Sequence, residues 1–309
     1  MAGLYVRESY LWQQMANDKF TGLGNQIAGK PHYVLPGSSA THNAFVRNHH
    51  KNVYSTVNLA YADVVDGRGD AIVLLPGAHT LSANVAVAKA GVSFFGPEAW
   101  MGMPTQKPSA IITPPAATDG FTVTAPDVAF RGVTIVPITQ KVGITGSALA
   151  LRLQVVGCHL DMNVAVAHTS TKGITATGAA VDWFIRNNVF YSLGAHGPFI
   201  DATGLLNYNI KENDFIVLTG GTMAVGILVG AAAQGLIQRN NFFGGTLTAA
   251  ISGTGATVAA SCRIFNNMFG VLCTVPIDNF SATNLTDLAL NYVATVGTGT
   301  GGTLISVNT

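Results

Sequence analysis

The carboxylates that could do chemistry in the repeating part of this chain are Asp161, Asp182, Asp201, Glu212, Asp214, Asp278 and Asp287. Hydrolysis of a glycosidic bond needs two of them flanking it, one to protonate the leaving oxygen and one to act as nucleophile or base. Aligning the repeats described below puts Asp182, Asn207, Gln234 and Ser261 in one column, three residues before a recurring Ile. That column holds one carboxylate, not a pair. Asp182 with Asp201 is the remaining candidate catalytic pair. Glu212 and Asp214 flank Asn213 and read as solvated turn residues.

Other reactive groups are sparse. Half of the eight His lie early, at 32, 42, 49 and 50. A metal site needs ligands that converge. His49 and His50 are adjacent and point apart in an extended segment. His42 and His49 are seven apart, roughly 10 Å along a helix, too far to share an ion. The four read as surface-loop residues, with no metal and no cofactor expected. Arg68-Gly69-Asp70 spells an adhesion tripeptide, but it falls in a helix-to-strand turn where Gly is needed anyway. No phosphate-binding Gly loop has the strand-then-helix context it requires, and no Ser-His-Asp set is legible. Cys158, Cys262 and Cys273 lack metal-ligand spacing and read as buried free thiols of a protein made in a reducing cytoplasm.

The elements that must position these groups are repeats. Five segments share one layout: Ile185-Arg-Asn-Asn-Val-Phe190, Ile210-Lys-Glu-Asn-Asp-Phe215, Ile237-Gln-Arg-Asn-Asn-Phe242, Ile264-Phe-Asn-Asn-Met-Phe269 and Leu288-Ala-Leu-Asn-Tyr-Val293. Val155-Val-Gly-Cys-His-Leu160 is a weaker copy. The closing residues fall at 160, 190, 215, 242, 269 and 293, and such an imperfect period means stacked coils. The segments are short, β-branched or aromatic, and bounded by Gly, Thr and Asn, which signals strands and turns. Asn188, Asn213, Asn240, Asn267 and Asn291 are expected to sit at a sharp corner, because Asn tolerates the left-handed conformation. Their amides can hydrogen-bond up the stack. Phe190, Phe215, Phe242 and Phe269 are expected to stack inside the tube. About nine coils at roughly 4.8 Å each would make a rod on the order of 45 Å.

Lys+Arg total 16 and Asp+Glu 15, a formal charge of +1, which argues against nucleic acid or an anionic membrane as partner. Charged residues are 10% of the chain, against about a quarter in ordinary soluble proteins. Such a surface is expected to be covered by other subunits. Residues 1–52 do not repeat and read as an arm, with Tyr5, Tyr10, Leu11, Trp12, Met15 and Phe20 as its apolar contacts. The β-helix is expected over 53–309, opened by a helix at about 55–66 capped by Ser55, which closes the end of the tube. The N-terminus lacks a signal-peptide layout, and the longest apolar run, 223–237, is too short to span a bilayer.

The Ile-x-x-Asn-x-Phe coils resemble the right-handed parallel β-helix proteins, which include pectate lyases, phage tailspikes and related virion proteins. Residues 53–81, a helix, a Gly-rich turn and a strand ending at Pro76-Gly77, are similar to the entry region of β-helix proteins of tailed phages. The resemblance implies an all-β, right-handed parallel β-helix. Polysaccharide lyases of this fold hold Ca²⁺ with clustered acids and use Arg or Lys as base, and no such cluster is legible here. It therefore implies a non-enzymatic virion protein that decorates the capsid as a homotrimer, its arm gripping the major capsid protein or another virion protein. A tailspike that binds or cleaves a surface glycan is the alternative, and its groove should show exposed Trp and Tyr beside acids. From 71 onward there are only two Trp, Trp100 and Trp183.

Overall fold

The computed structural model describes residues 29–36, 52–96, 108–115, 118–137, 141–162, 171–194, 196–230, 234–254, 261–270, 273–278, 280, 285–293 and 303–305. They form a parallel β-solenoid of three strand faces. The first face carries Ala71–Leu74, Ser93–Phe95, Ala129–Arg131, Gln154–Val156, Trp183–Arg186, Asn207–Lys211, Gln234–Gln238, Ser261–Phe265 and Leu285–Ala289, one strand per coil. The second face follows each of these across one corner, as in His159–Met162, Val189–Ser192 and Met268–Phe269. The third face includes Phe121–Val123, Val142–Gly146, Lys172–Ala176 and Ile200–Ala202. Two long strands, Asp214–Val229 and Asn241–Gly253, run through both of these faces and merge them into one sixteen-stranded sheet. Among the described residues the one antiparallel pair is Asn291–Val293 with Thr303–Ile305. No described helix is long and apolar enough to cross a membrane.

Register follows from the columns. Ile185, Ile210, Ile237, Ile264 and Leu288 are direct partners on the first face. Phe190, Phe215, Phe242 and Phe269 are direct partners on the second. Side chains alternate across a strand, so one column of apolar residues points inward and its neighbours point out. The four Phe rings are buried and stack at centroid distances of 4.9, 4.7 and 5.3 Å. That spacing is the strand repeat itself. A second inward stack, Phe94 on Phe130 at 4.8 Å, fills earlier coils.

The corner between the first two faces departs from the sequence-based expectation. The residue in the left-handed region is not the ladder Asn but the one before it: Gly132, Gly157, Asn187, Glu212, Arg239, Asn266 and Leu290, with φ between 52° and 63°. The Asn that follows turns inward and is fully buried. Its Oδ1 accepts from the backbone N–H and the Nδ2 of the Asn one coil earlier, as in Asn213 to Asn240 at 3.1 and 2.9 Å. Its Nδ2 donates on to the next Oδ1 and to a first-face carbonyl, as in Asn240 to Asn267 and to Ile210, both at 3.0 Å. The ladder ends at Cys158, which occupies the same position and offers only its backbone N–H to Asn188, at 2.8 Å.

The N-terminal cap is shorter than expected. The helix spans Val57–Ala62, and its N-cap is Thr56, not Ser55; the Thr56 hydroxyl accepts from the Leu59 N–H at 3.2 Å. Val57 and Ala60 close the core. The boundary expected at residue 52 also moves. Pro31–Val34 pairs in parallel with both Ala71–Leu74 and Val53–Tyr54, so residues 29–36 belong to the sheet. The non-repeating composition of that stretch hid a strand whose side chains, His32, Tyr33 and Val34, are buried. Tyr5, Tyr10, Leu11, Trp12, Met15 and Phe20 lie outside the described residues.

Candidate functional site

The structure does not bring Asp182 and Asp201 together. Asp182 stands at the corner leading into Trp183–Arg186, in the left-handed region, and accepts from Asn207 Nδ2 at 2.5 Å. Asp201 lies within Ile200–Ala202 on the third face and is buried. There it pairs with Lys172 Nζ at 2.5 Å and accepts from the Thr203 hydroxyl at 2.7 Å. Each carboxylate holds one coil to the next, and neither flanks a space shared with the other. Turn lengths between faces vary from coil to coil, so sequence separation did not reveal which face each acid would occupy.

The remaining acids are dispersed in the same way. Glu212 pairs with Arg239 at the corner, 3.1 Å apart, and Asp214 accepts from Asn241 Nδ2 at 2.8 Å. Asp161 is buried on the second face, and Asp278 is exposed at the end of Cys273–Asp278 on the third. The backbone of Asp287 is in register with Arg263. Among the described residues no group of three His, Cys, Asp or Glu is placed to hold a metal ion.

One early expectation is corrected at the N-terminal end. His32 is not a surface-loop residue: it is buried in a strand, its Nε2 is 3.4 Å from Asp70 Oδ2, and its Nδ1 is 3.2 Å from the Tyr54 hydroxyl. His42, His49 and His50 lie outside the described residues. Asp70 is 0% exposed. It accepts from Arg68 at 2.6 and 2.5 Å and from the backbone N–H groups of Lys30 and Val65 at 2.7 and 2.8 Å. The Arg68-Gly69-Asp70 turn is therefore a structural clasp between the first strand, the helix and the first coil, and its Asp is out of reach of a receptor.

Burial alone would push the Asp70 carboxyl up, but Arg68 and the two amides reverse this and hold it well below the usual carboxylate range. A depressed folded-state pKa contributes stability that is present above the unfolded value, near 4, and lost as pH falls toward the folded one. In melting curves from neutral to acid pH, the advantage of the native chain over Asp70→Asn is therefore expected to shrink below about pH 4. An advantage that stays constant into acid would assign the clasp no role in acid stability.

The three thiols do not point to redox or nucleophilic chemistry. Cys158 and Cys262 are buried, and Cys273 is half-buried rather than fully so, as had been expected. Burial pushes all three up to about 11, far from the thiolate form a nucleophile needs. Cys262 contacts the Tyr208 hydroxyl at 3.3 Å, two coils away in sequence.

Tyr208 also lines a concavity on the outside of the tube. An open groove of about 410 Å³ runs along the first face over four coils. Its lining includes Asp182, Phe184, Asn209, Leu236 and Arg263, above a floor of Trp183, Tyr208 and Gly235. Gly235 keeps the floor low: a Cβ there would stand 2.7 Å from the Tyr208 ring. Phe184 is 42% exposed, and Asp182 is the one carboxylate at the edge. The arrangement offers an apolar surface, amide groups and one guanidinium, and its lining holds one carboxylate where glycoside hydrolysis uses two. The sequence carried a signal for it, since Gly235 interrupts a column of Trp183, Tyr208 and Cys262.

No protein-family model matches the sequence, and no curated protein does. Among solved structures, the chain is similar to the deglycosylated pectin methylesterase of Aspergillus niger, with TM-score 0.54 and 11% identity over 86% of each chain. It is similar to a pectin methylesterase in complex with a hexasaccharide, with TM-score 0.51 and 10% identity over 79% of this chain and 80% of that one. The PL6 family alginate lyase AlyGC matches with TM-score 0.52 and 13% identity over 86% of this chain and 40% of the lyase. At such identities the likeness is one of fold alone: this chain is a parallel β-helix of the architecture that these polysaccharide-acting enzymes share.

Proposed function

We propose that this chain is a non-enzymatic structural protein of a phage virion, a capsid decoration that covers the particle surface as a homotrimer. The observation that carries this reading is the dispersal of the coil acids. Asp182, Asp201, Glu212 and Asp214 sit on different faces or corners, each engaged with its own Asn, Lys or Arg. The 10% charged content supports a surface covered by neighbours. The phage assignment rests on the resemblance of residues 53–81. The partner is the major capsid protein or another virion protein, reached through the N-terminal arm.

The groove on the first face favours a second reading, a tailspike or receptor-binding protein that holds a bacterial surface glycan. The two readings share the absence of cleavage chemistry at an acid pair. Incubated with pectin, polygalacturonate or alginate, the purified chain is expected to release no reducing ends, unsaturated uronates or methanol above a heat-inactivated control. Product that forms and then disappears in Asp182→Asn would overturn the non-enzymatic reading.

The strand at Pro31–Val34 sets where the arm can be cut. Deleting residues 1–28 is expected to leave a folded β-rich protein that no longer co-sediments with particles. Deleting 1–50 would also strip the strand that covers Ala71–Leu74 and expose an unpaired edge. That longer deletion is expected to lower the melting temperature or cause aggregation. If the 1–28 deletion still binds particles at normal occupancy, the arm is not the anchor.

A further inference from the structure

The core column that runs through Phe190 and Phe242 begins on a titratable side chain. His79 lies in Gly77–Thr80, the edge strand that opens the second face, and is 4% exposed. It is in register with Ile112, and through it with Ile135, Leu160 and Phe190. Those four are apolar and fully buried. An imidazole therefore stands where later coils place a hydrocarbon.

Its hydrogen bonding fixes its neutral form. Nε2 lies 2.7 Å from the Leu75 carbonyl oxygen. A carbonyl only accepts, so Nε2 carries the proton and Nδ1 is bare. Among the described residues Nδ1 has no hydrogen-bond partner. A second proton would go to Nδ1 and place a charge in the tube with no acceptor to receive it. Burial lowers the His79 pKa, and the Leu75 bond only partly offsets this.

The titratable groups of the surrounding elements are engaged elsewhere. Asp63 accepts from the Tyr54 hydroxyl, and Asp66 from the Ala90 N–H. Lys89 Nζ donates to the carbonyls of Tyr61, Ala62 and Val64, and the Tyr61 hydroxyl accepts from the Ala88 N–H. Asp70 is held by Arg68 and lies 3.4 Å from His32. The strands Ala71–Leu74, Val85–Val87 and Ala110–Thr113 carry no titratable side chain.

The bond to Leu75 also fastens a corner. The Leu75 N–H donates to the Val34 carbonyl at 3.1 Å. Two residues on, Gly77 turns with φ 133° against Pro36, where a Cβ would stand 2.6 Å from the Pro36 side chain. An imidazolium would have to draw water to Nδ1, and so close a corner must open to admit it.

We propose that His79 is an acid-sensitive latch on the first coil: neutral, it holds the corner from Leu75 to His79 shut, and protonated, it frees the edge strand Gly77–Thr80. This stands apart from the reading of the chain as a virion protein, which does not depend on it. The folded-state pKa lies below the unfolded value near 6.5, so the latch is at full strength above about pH 6.5 and weakens as pH falls below it. Asp70 keeps its charge to far lower pH, and a proton on His32 would be drawn to it. The N-terminal strand therefore stays clasped while the corner opens.

Amide hydrogen exchange on the full chain, corrected for the intrinsic rate at each pH, tests this. The reporters are the Gly77 and Leu81 amides, which donate to the Ser109 and Thr113 carbonyls. Between about pH 7.5 and about pH 5 their protection is expected to fall about tenfold, the factor carried by one pKa unit. Protection in Trp183–Arg186 is expected to hold. In His79→Gln, which keeps a donor for Leu75 but gains no proton, the fall is expected to vanish. His79→Ile, which continues the apolar column, should behave in the same way. Protection that holds in the native chain, falls as far in both variants, or falls equally in every coil would overturn the latch.

Discussion

Phe242→Ala is expected to destabilise the folded chain by about 3–5 kcal/mol, measured by denaturant unfolding. The ring is 1% exposed and stacks on Phe215 at 4.7 Å and on Phe269 at 5.3 Å. A coil cannot collapse into the space the ring leaves, because the strand pairing on both sides fixes coil spacing. Gly226 sits directly against it, a Cβ there coming within 2.8 Å of the ring, so the Phe242 site is packed from the third face as well. The loss should therefore lie near the upper end of the range and well above that of a surface change such as Thr246→Ala. A change under about 1 kcal/mol would place the stack outside the stabilising core.

Asn240→Leu is the second large effect. The side chain is fully buried and makes four hydrogen bonds. Leu matches its size but leaves the Asn213 backbone N–H and one Asn213 Nδ2 hydrogen without their acceptor in the interior. Each unpaired buried group costs about 1–3 kcal/mol, so the expected loss is about 3 kcal/mol or more. The same change at Asn188 should cost less, because the rung before it is Cys158, which offers the Asn188 Oδ1 one backbone N–H and no side-chain amide. Equal losses at the two positions would mean that the rungs do not depend on their neighbours.

These two columns were readable from sequence for a physical reason. A solenoid places the same backbone position in the same environment on every coil, so Ile, Asn and Phe recur wherever the geometry recurs. The left-handed corner was misplaced by one residue because Asn has the better reputation for that conformation, whereas Glu212, Arg239 and Leu290 adopt it here. The regular corner imposes it, and the buried Asn after it compensates through the ladder. The clasp of Asp70, Arg68 and His32 was hidden for the opposite reason. It joins residues 38 apart that do not repeat, so no column announces it. The groove depends on Gly235 lying above Tyr208, and the separation of Asp182 from Asp201 depends on which face each occupies. Both are matters of which strand lies beside which, and they become visible only once the coils are stacked.

The central claim is that this β-helix is a covering component of a phage particle and not a glycan-cleaving tool. Electron microscopy of intact particles carrying labelled copies of the chain tests it most directly. The account predicts many copies distributed over the head. A handful of copies confined to the tail, or none on the particle, would contradict it.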